Sequence, residues 1–211
     1  MTSSPQPTGS NPPAIKAVIF DIGGVLVRTE DLTSRRIWEA RFGLPDWGLA
    51  RLVFDNPVAS EATVGRATTA DVWRYVGDQL GLAGAELAQL EEDFWAGDRY
   101  DVDLIAWIGA LRPRYQTGIL SNAWDWMPRR HAPHINASVF DVIVYSQEIQ
   151  LAKPAPASFH SVLDRLGVRP QEAIFVDDFA ENIAAANDLG LHGLLFRPQD
   201  DVRQAIAALL R

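Results

Sequence analysis

Three places along the chain carry acidic or hydroxyl side chains that could act on one ligand. Asp21 follows the apolar run at residues 14–20 (AIKAVIF), Ser121 and Asn122 follow residues 116–120, and the pair Asp177-Asp178 follows residues 173–176 (AIFV). Each run reads as a short strand buried on both faces, so each polar group stands at a strand's carboxyl end. In an open parallel sheet that edge is where ligands bind. Taken singly, an Asp or Ser there is as well explained as the cap of the next helix. Taken together, converging carboxylates would repel one another unless a hard cation sat among them. Mg²⁺ suits oxygen ligands and retains water. Carboxylates that hold Mg²⁺ beside an anionic pocket point to phosphoryl chemistry, in which positioning and charge neutralisation do most of the catalysis.

The elements that must position these groups alternate along the chain. After residues 14–20, Gly23-Gly24 marks a sharp turn. Residues 31–95 turn helical: Val72, Trp73, Val76 and Leu80 recur at spacings of three and four, as do Leu87, Leu90 and Phe94. Trp38, Trp47, Trp73 and Trp95 fall in this stretch and predict a small helical unit with its own aromatic core. Beyond Tyr100 the pattern predicts helix 104–111, strand 116–120, strand 142–145 and a helical stripe through Phe159, Val162, Leu163 and Leu166 closed by Gly167. Strand 173–176, helix 181–189, strand 191–196 and helix 202–210 follow. Such alternation implies βαβ units: an α/β fold with a three-layer, Rossmann-like parallel sheet. The expected organisation is a disordered tail at 1–13, a core formed by 14–30 and 100–211, and an inserted helical cap at 31–99.

A chain of 211 residues can bury a core without a metal or disulfide staple. It has no cysteine, which removes disulfide scaffolds, thiolate zinc sites and cysteine nucleophiles. A net charge of −8 argues against a surface built to grip nucleic acid. No apolar run approaches the ~18 residues of a membrane span. Residues 1–13 lack both the basic and the apolar region of a secretory signal, so a cytoplasmic location is expected.

The segments VIFDIGGVLV, GILSN, LAKPAP and IFVDDFAENIAAANDLG, in that order, resemble the four motifs of the haloacid dehalogenase superfamily of hydrolases. The helical stretch is similar to the C1 cap that subfamily I members insert between motifs one and two. Within the superfamily, DIGGVL and the DDxxxN spacing most resemble the branch of sugar-phosphate phosphatases such as α-glucose-1-phosphate phosphatase. The resemblance implies Asp21 as the nucleophile that forms an aspartyl-phosphate. It implies Ser121 as a phosphoryl hydrogen-bond donor, aided by the Asn122 amide at a helix N-terminus. Lys153 would neutralise the phosphoryl charge and keep Asp21 ionised. Asp21, Asp178 and the Gly23 carbonyl would bind Mg²⁺, with Asp177 acting through water or orienting the site and Asn182 bracing the cluster. The substrate implied is a small phosphorylated metabolite.

One position departs from the pattern. Most phosphatases of the superfamily carry a second Asp two residues after the nucleophile, as general acid and then base; here that position is Gly23. A positioned acid–base group is typically worth about 10²–10⁴-fold, so the expectation is a slow or leaving-group-selective phosphatase. Glu30 and Asp31 at the cap entrance are candidate substitutes. The sugar-phosphate branch also carries Gly here and is active. Two rivals remain: a 2-haloacid dehalogenase, which needs no metal but usually lacks an Asp-Asp pair, and a catalytically weakened phospholigand-binding protein. Between Trp124 and His134, Trp124 could stack on a sugar, and Arg129 and Arg130 could reach an anion, but a surface loop and helix with ordinary aromatic packing is the favoured reading. Arg35, Arg36 and Trp38 could face the pocket. None of the four histidines is assigned chemistry.

Overall fold

Ala17, Val18, Ile19 and Phe20 are all buried and form β1 (Ala17–Phe20), the central strand of a five-stranded sheet. Strand side chains alternate between faces, so an unbroken apolar run must be covered on both. Val18 and Phe20 pack with Leu104, Ile105, Ile108 and Ile206 on one face; Ala17 and Ile19 pack with Phe159, Val162, Leu163 and Ile183 on the other. The computed structural model describes residues 13–210. The expected disordered tail therefore lies outside the described residues, Pro13 excepted.

From β1 the chain passes through β2 (Val27–Thr29) into five helices: α1 (Thr33–Arg41), α2 (Gly48–Phe54), α3 (Pro57–Thr63), α4 (Thr69–Leu80) and α5 (Gly84–Trp95). It returns along β3 (Asp98–Tyr100), which pairs antiparallel with β2. Alternation then resumes with α6 (Val102–Gly109), β4 (Gln116–Ser121), α7 (Met127–His131), β5 (Val142–Tyr145), α8 (Ser146–Ile149) and α9 (Pro156–Leu166). The chain continues through β6 (Ala173–Asp177), α10 (Ala180–Asp188), β7 (His192–Leu195) and α11 (Val202–Leu209). The sheet order is β5-β4-β1-β6-β7, all parallel. This is the Rossmann-like α/β architecture that the alternation predicts. The β2–β3 ladder and the short α7 and α8 were not expected, because VRT and DRY carry no alternating apolar pattern and four or five residues are too few to show a helical period.

The helices between β2 and β3 have their own apolar cluster, including Trp38, Leu49, Val53, Val72, Trp73, Val76, Leu90 and Phe94. α4 is defined at both ends by local chemistry. Thr68 and Asp71 form a capping box, and Gly81 terminates the helix at φ 68°. The expected aromatic core holds for Trp38 and Trp73 but not for Trp47, which is 52% exposed just ahead of α2. Three places fasten these helices to the rest. At Thr69, the N–H (2.8 Å) and Oγ1 (2.5 Å) both donate to Asp125 Oδ1. At Thr63, Trp124 Nε1 donates to Oγ1 (3.2 Å) and Ser146 Oγ donates to the carbonyl (2.6 Å). At Asp98, the carboxylate accepts from Thr29 Oγ1 (2.7 Å), Arg130 Nη2 (3.2 Å) and Arg35 Nη2 (3.4 Å). Among the described residues, no helix is long and apolar enough to cross a membrane.

Candidate active site

The sheet register assembles the acidic groups. Phe20 lies opposite Ile119 of β4 and Val176 of β6, and Asp21 N–H donates to the Val176 carbonyl at 2.9 Å. Neighbouring strands lie about 4.8 Å apart. Asp21 and Asp177, each one residue further on, therefore emerge side by side with Asp178 next in line. One carboxylate oxygen from each of Asp21, Asp177 and Asp178 can be chosen so that all lie within 4.8 Å of one another. Ser121, the last residue of β4, is buried at the same edge.

Lys153 reaches this cluster from the loop after α8. Its Nζ lies 2.9 Å from Asp21 Oδ1 and 2.7 Å from Asp177 Oδ2, with only 1% of the side chain exposed. Asn122 fixes that loop: Lys153 N–H donates to Asn122 Oδ1 (2.9 Å), and Asn122 Nδ2 donates to the Lys153 carbonyl (3.0 Å). The sequence reading placed Asn122 at a helix N-terminus. Instead α7 begins only at Met127, and the Asn122 side chain brackets Lys153.

Asp177 is fully buried and well supplied with donors. It accepts from Lys153 Nζ, from Phe179 N–H (2.8 Å) and from Asn182 Nδ2 at 3.1 and 3.0 Å to its two oxygens. Asn182 thus touches the cluster through Asp177, five residues before it, rather than through Asp178. Asp21 Oδ1 and Asp178 Oδ1 are different: both are buried with no hydrogen-bond partner among the described residues. The Lys153–Asp21 contact is close enough for an ion pair but not aligned as a hydrogen bond. Burial raises the Asp178 carboxyl to about 6, and the negative charges of Asp21 and Asp177 push in the same direction. Burial also raises Asp21, against the pull of Lys153. A cluster of three carboxylates and one ammonium, with two buried oxygens short of donors, fits a hard divalent cation; Asp21 and Asp178 are the residues that could hold it.

The paired glycines differ in role. Gly24 sits at φ +71°, and a Cβ there would collide with Asp178 Oδ2, so this turn can approach the carboxylate only with glycine. Gly23 is exposed, and nothing lies within 4 Å of the place a Cβ would occupy. The position where a general acid is expected is therefore open rather than filled by another group.

Several candidates are engaged elsewhere. Asp31 Oδ1 accepts from Thr33 N–H; the Thr33 hydroxyl first and its N–H second lower the Asp31 carboxyl below the usual range, while Glu30 is an exposed neighbour of Arg28. Arg35 is buried over the Phe94 ring and donates to the Phe94 carbonyl; Trp38 donates to Asp93. Neither is free to meet a substrate, and Arg36 shows no polar contact that places it there. Trp124 is 3% exposed in the helical cluster, so it presents no face to a sugar. Arg130 is bound to Asp98 and the Trp95 carbonyl; Arg129 is exposed beside a cavity of about 520 Å³. His131 is buried with Nδ1 2.7 Å from the Tyr100 hydroxyl. Two contacts had not been anticipated. The Asn122 bracket joins residues 31 apart and leaves no local signal. The Phe179 amide on Asp177 is an Asx-turn, and the Asp two residues earlier could have revealed it.

The chain is similar to known proteins in sequence and in fold. The sequence pattern of the haloacid dehalogenase-like hydrolases matches residues 15–190. A D-ribitol-5-phosphate phosphatase of Bacteroides thetaiotaomicron is 29% identical over 93% of this chain and 98% of its own. Bifunctional epoxide hydrolase 2 of Rattus norvegicus is 38% identical over 87% of this chain, which spans 37% of that longer protein. In fold, the chain resembles a haloacid dehalogenase-family enzyme of Bacteroides thetaiotaomicron solved with magnesium and inorganic phosphate. The TM-score is 0.74 at 21% identity, over 91% of this chain and 99% of the other.

Proposed function

The chain belongs to the haloacid dehalogenase-like hydrolase family, and on that premise we propose that it is a Mg²⁺-dependent phosphatase of small phosphorylated metabolites. The observation that carries the reading is the meeting of Asp21, Asp177 and Asp178 beside one buried lysine. An oxygen of Asp21 attacks phosphorus, the bond to the leaving oxygen breaks, and its electron pair departs with that oxygen. Water then attacks the aspartyl-phosphate, releasing inorganic phosphate, returning the carboxylate and splitting one hard displacement into two. Ser121 donates to a phosphoryl oxygen, and Lys153 offsets phosphoryl charge while balancing Asp21 and Asp177. Asp21, Asp178 and the Gly23 carbonyl would hold the cation; Asn182 and the Phe179 amide keep Asp177 oriented. Bound there, Mg²⁺ would supply the positive charge that lets an anionic phosphate approach carboxylates.

The open position at Gly23 narrows the substrates. With no acid to protonate the departing oxygen, esters whose leaving groups are stable as anions react best: acyl phosphates and anomeric sugar phosphates rather than simple alkyl phosphates. Phosphate release from acetyl phosphate, glucose 1-phosphate and glycerol phosphate, with Mg²⁺ or with chelator, tests both statements. The expected result is Mg²⁺-dependent release that Asp21→Asn abolishes, fastest for the first two. Release that survives the chelator or the substitution would overturn the mechanism. Chelator-resistant halide release from 2-chloropropionate would favour the dehalogenase instead.

A further inference from the structure

Phe179 is 65% exposed, more than any other large apolar side chain among the described residues, and it directly follows the Asp177-Asp178 pair. An isolated exposed apolar residue needs no explanation. Three things set this one apart. First, it is not loosely placed: its N–H is tied to Asp177 Oδ1 at 2.8 Å, and its carbonyl accepts the Ile183 N–H at 3.2 Å. Second, it occupies the N-cap of α10 without any side-chain cap, where Ser, Thr, Asn or Asp would stabilise the helix by about 1 kcal/mol. The fold therefore gains neither burial nor capping from this side chain. Third, it stands at the sheet edge that carries the acidic pair. Leu195, paired in register with Asp177, is also exposed, and Arg197 Nη1 donates to the Asp178 carbonyl at 3.3 Å. One Cα step of 3.8 Å separates Phe179 from Asp178, which puts the ring within about 8 Å of that backbone.

We infer that Phe179 is a specificity-determining residue: it offers its ring to a flat apolar face of the substrate's leaving group, such as a sugar's C–H face or an aryl ring. The inference rests on the phosphatase reading above, in which the phosphoryl group sits at Asp21, beside the Asp178 that Phe179 follows. It assigns Phe179 to recognition, not to chemistry.

The test separates the two claims by using ligands that cannot turn over. Phenylphosphonate and methylphosphonate carry the same charged head and differ in the ring. With Mg²⁺ present, wild-type protein should bind phenylphosphonate about tenfold more tightly, the factor produced by about 1.4 kcal/mol of apolar contact. Phe179→Ser should bring that ratio close to one while raising Tm, because serine caps α10; Phe179→Leu should fall between. In turnover, KM for benzoyl phosphate relative to acetyl phosphate should shift by a similar factor, with the kcat ratio moving less. An unchanged binding ratio in Phe179→Ser, or a lower Tm for it, would overturn the inference. If the ring preference is present and lost with Phe179 while neither acyl phosphate is hydrolysed, the phosphatase reading fails and the recognition role stands.

Discussion

Installing the missing acid is the most demanding perturbation this site offers. Gly23 has open space around its hypothetical Cβ and, unlike Gly24, no left-handed backbone, so Gly23→Asp should fold without displacing a neighbour. The new carboxyl would stand beside three others that share one lysine. Crowding of this kind, together with burial, already raises Asp178 to about 6. The introduced group should likewise titrate above the ordinary value of about 3.9, which favours a proton donor near neutral pH. A positioned general acid contributes about 10²–10⁴-fold, equivalent to roughly 3–5 kcal/mol of barrier. That gain applies only where the leaving oxygen needs a proton. Steady-state kcat with glycerol phosphate should therefore rise at least about 100-fold, whereas acetyl phosphate should change by less than about threefold, since its leaving group departs as a stable anion. The measured quantity is the alkyl-to-acyl ratio of kcat, with and without the substitution. An unchanged ratio, or equal gains on both substrates, would refute the claim that the open position limits this enzyme.

Other perturbations follow from the same coordinates. Gly24→Ala places a methyl against Asp178 Oδ2 at a positive φ and should abolish calorimetric Mg²⁺ binding, with a left-handed strain of about 1–2 kcal/mol adding to the loss of stability. Asn182→Ala removes the donor that meets both oxygens of Asp177 and should weaken Mg²⁺ affinity about 10–100-fold in a titration followed by Tm. His131 is lowered to about 4 by burial, with the positive charges of Arg130 and His134 contributing. The unfolded chain takes up this proton near pH 6.5, so between those values it binds more protons than the native state and stability rises with pH. The contribution is present above about pH 6.5 and gone below about pH 4. Between pH 7 and 5, urea denaturation should show wild type losing about 2 kcal/mol more than His131→Gln.

Much of this was readable in the sequence, for identifiable reasons. A strand buried on both faces must be apolar throughout, so β1, β4 and β6 stand out, and the charged groups that interrupt such runs mark the sheet edge. Asp21 and the Asp177-Asp178 pair could be placed for that reason alone. What escaped was set by tertiary contact. The β2–β3 ladder joins polar triplets about 70 residues apart, whose partners no local period announces. Lys153 depends on Asn122 across 31 residues. Aromatic composition foretold a core among the helices but not its membership: Trp47 faces out, whereas Trp124, from beyond β4, turns in. Arg35 reads as a free cation in sequence and is a buried tie in the fold.

The anchorages of the helices, at Thr63, Thr69 and Asp98, have a kinetic consequence. Detaching the helices means breaking hydroxyl, indole and ionic contacts together rather than pivoting about a loose joint. Wholesale detachment of the helices should then be slower than the motions of the loops around them. Thr63→Val, which removes the acceptor of the Trp124 indole, and Asp98→Asn, which removes the charge facing Arg35 and Arg130, should each loosen that attachment.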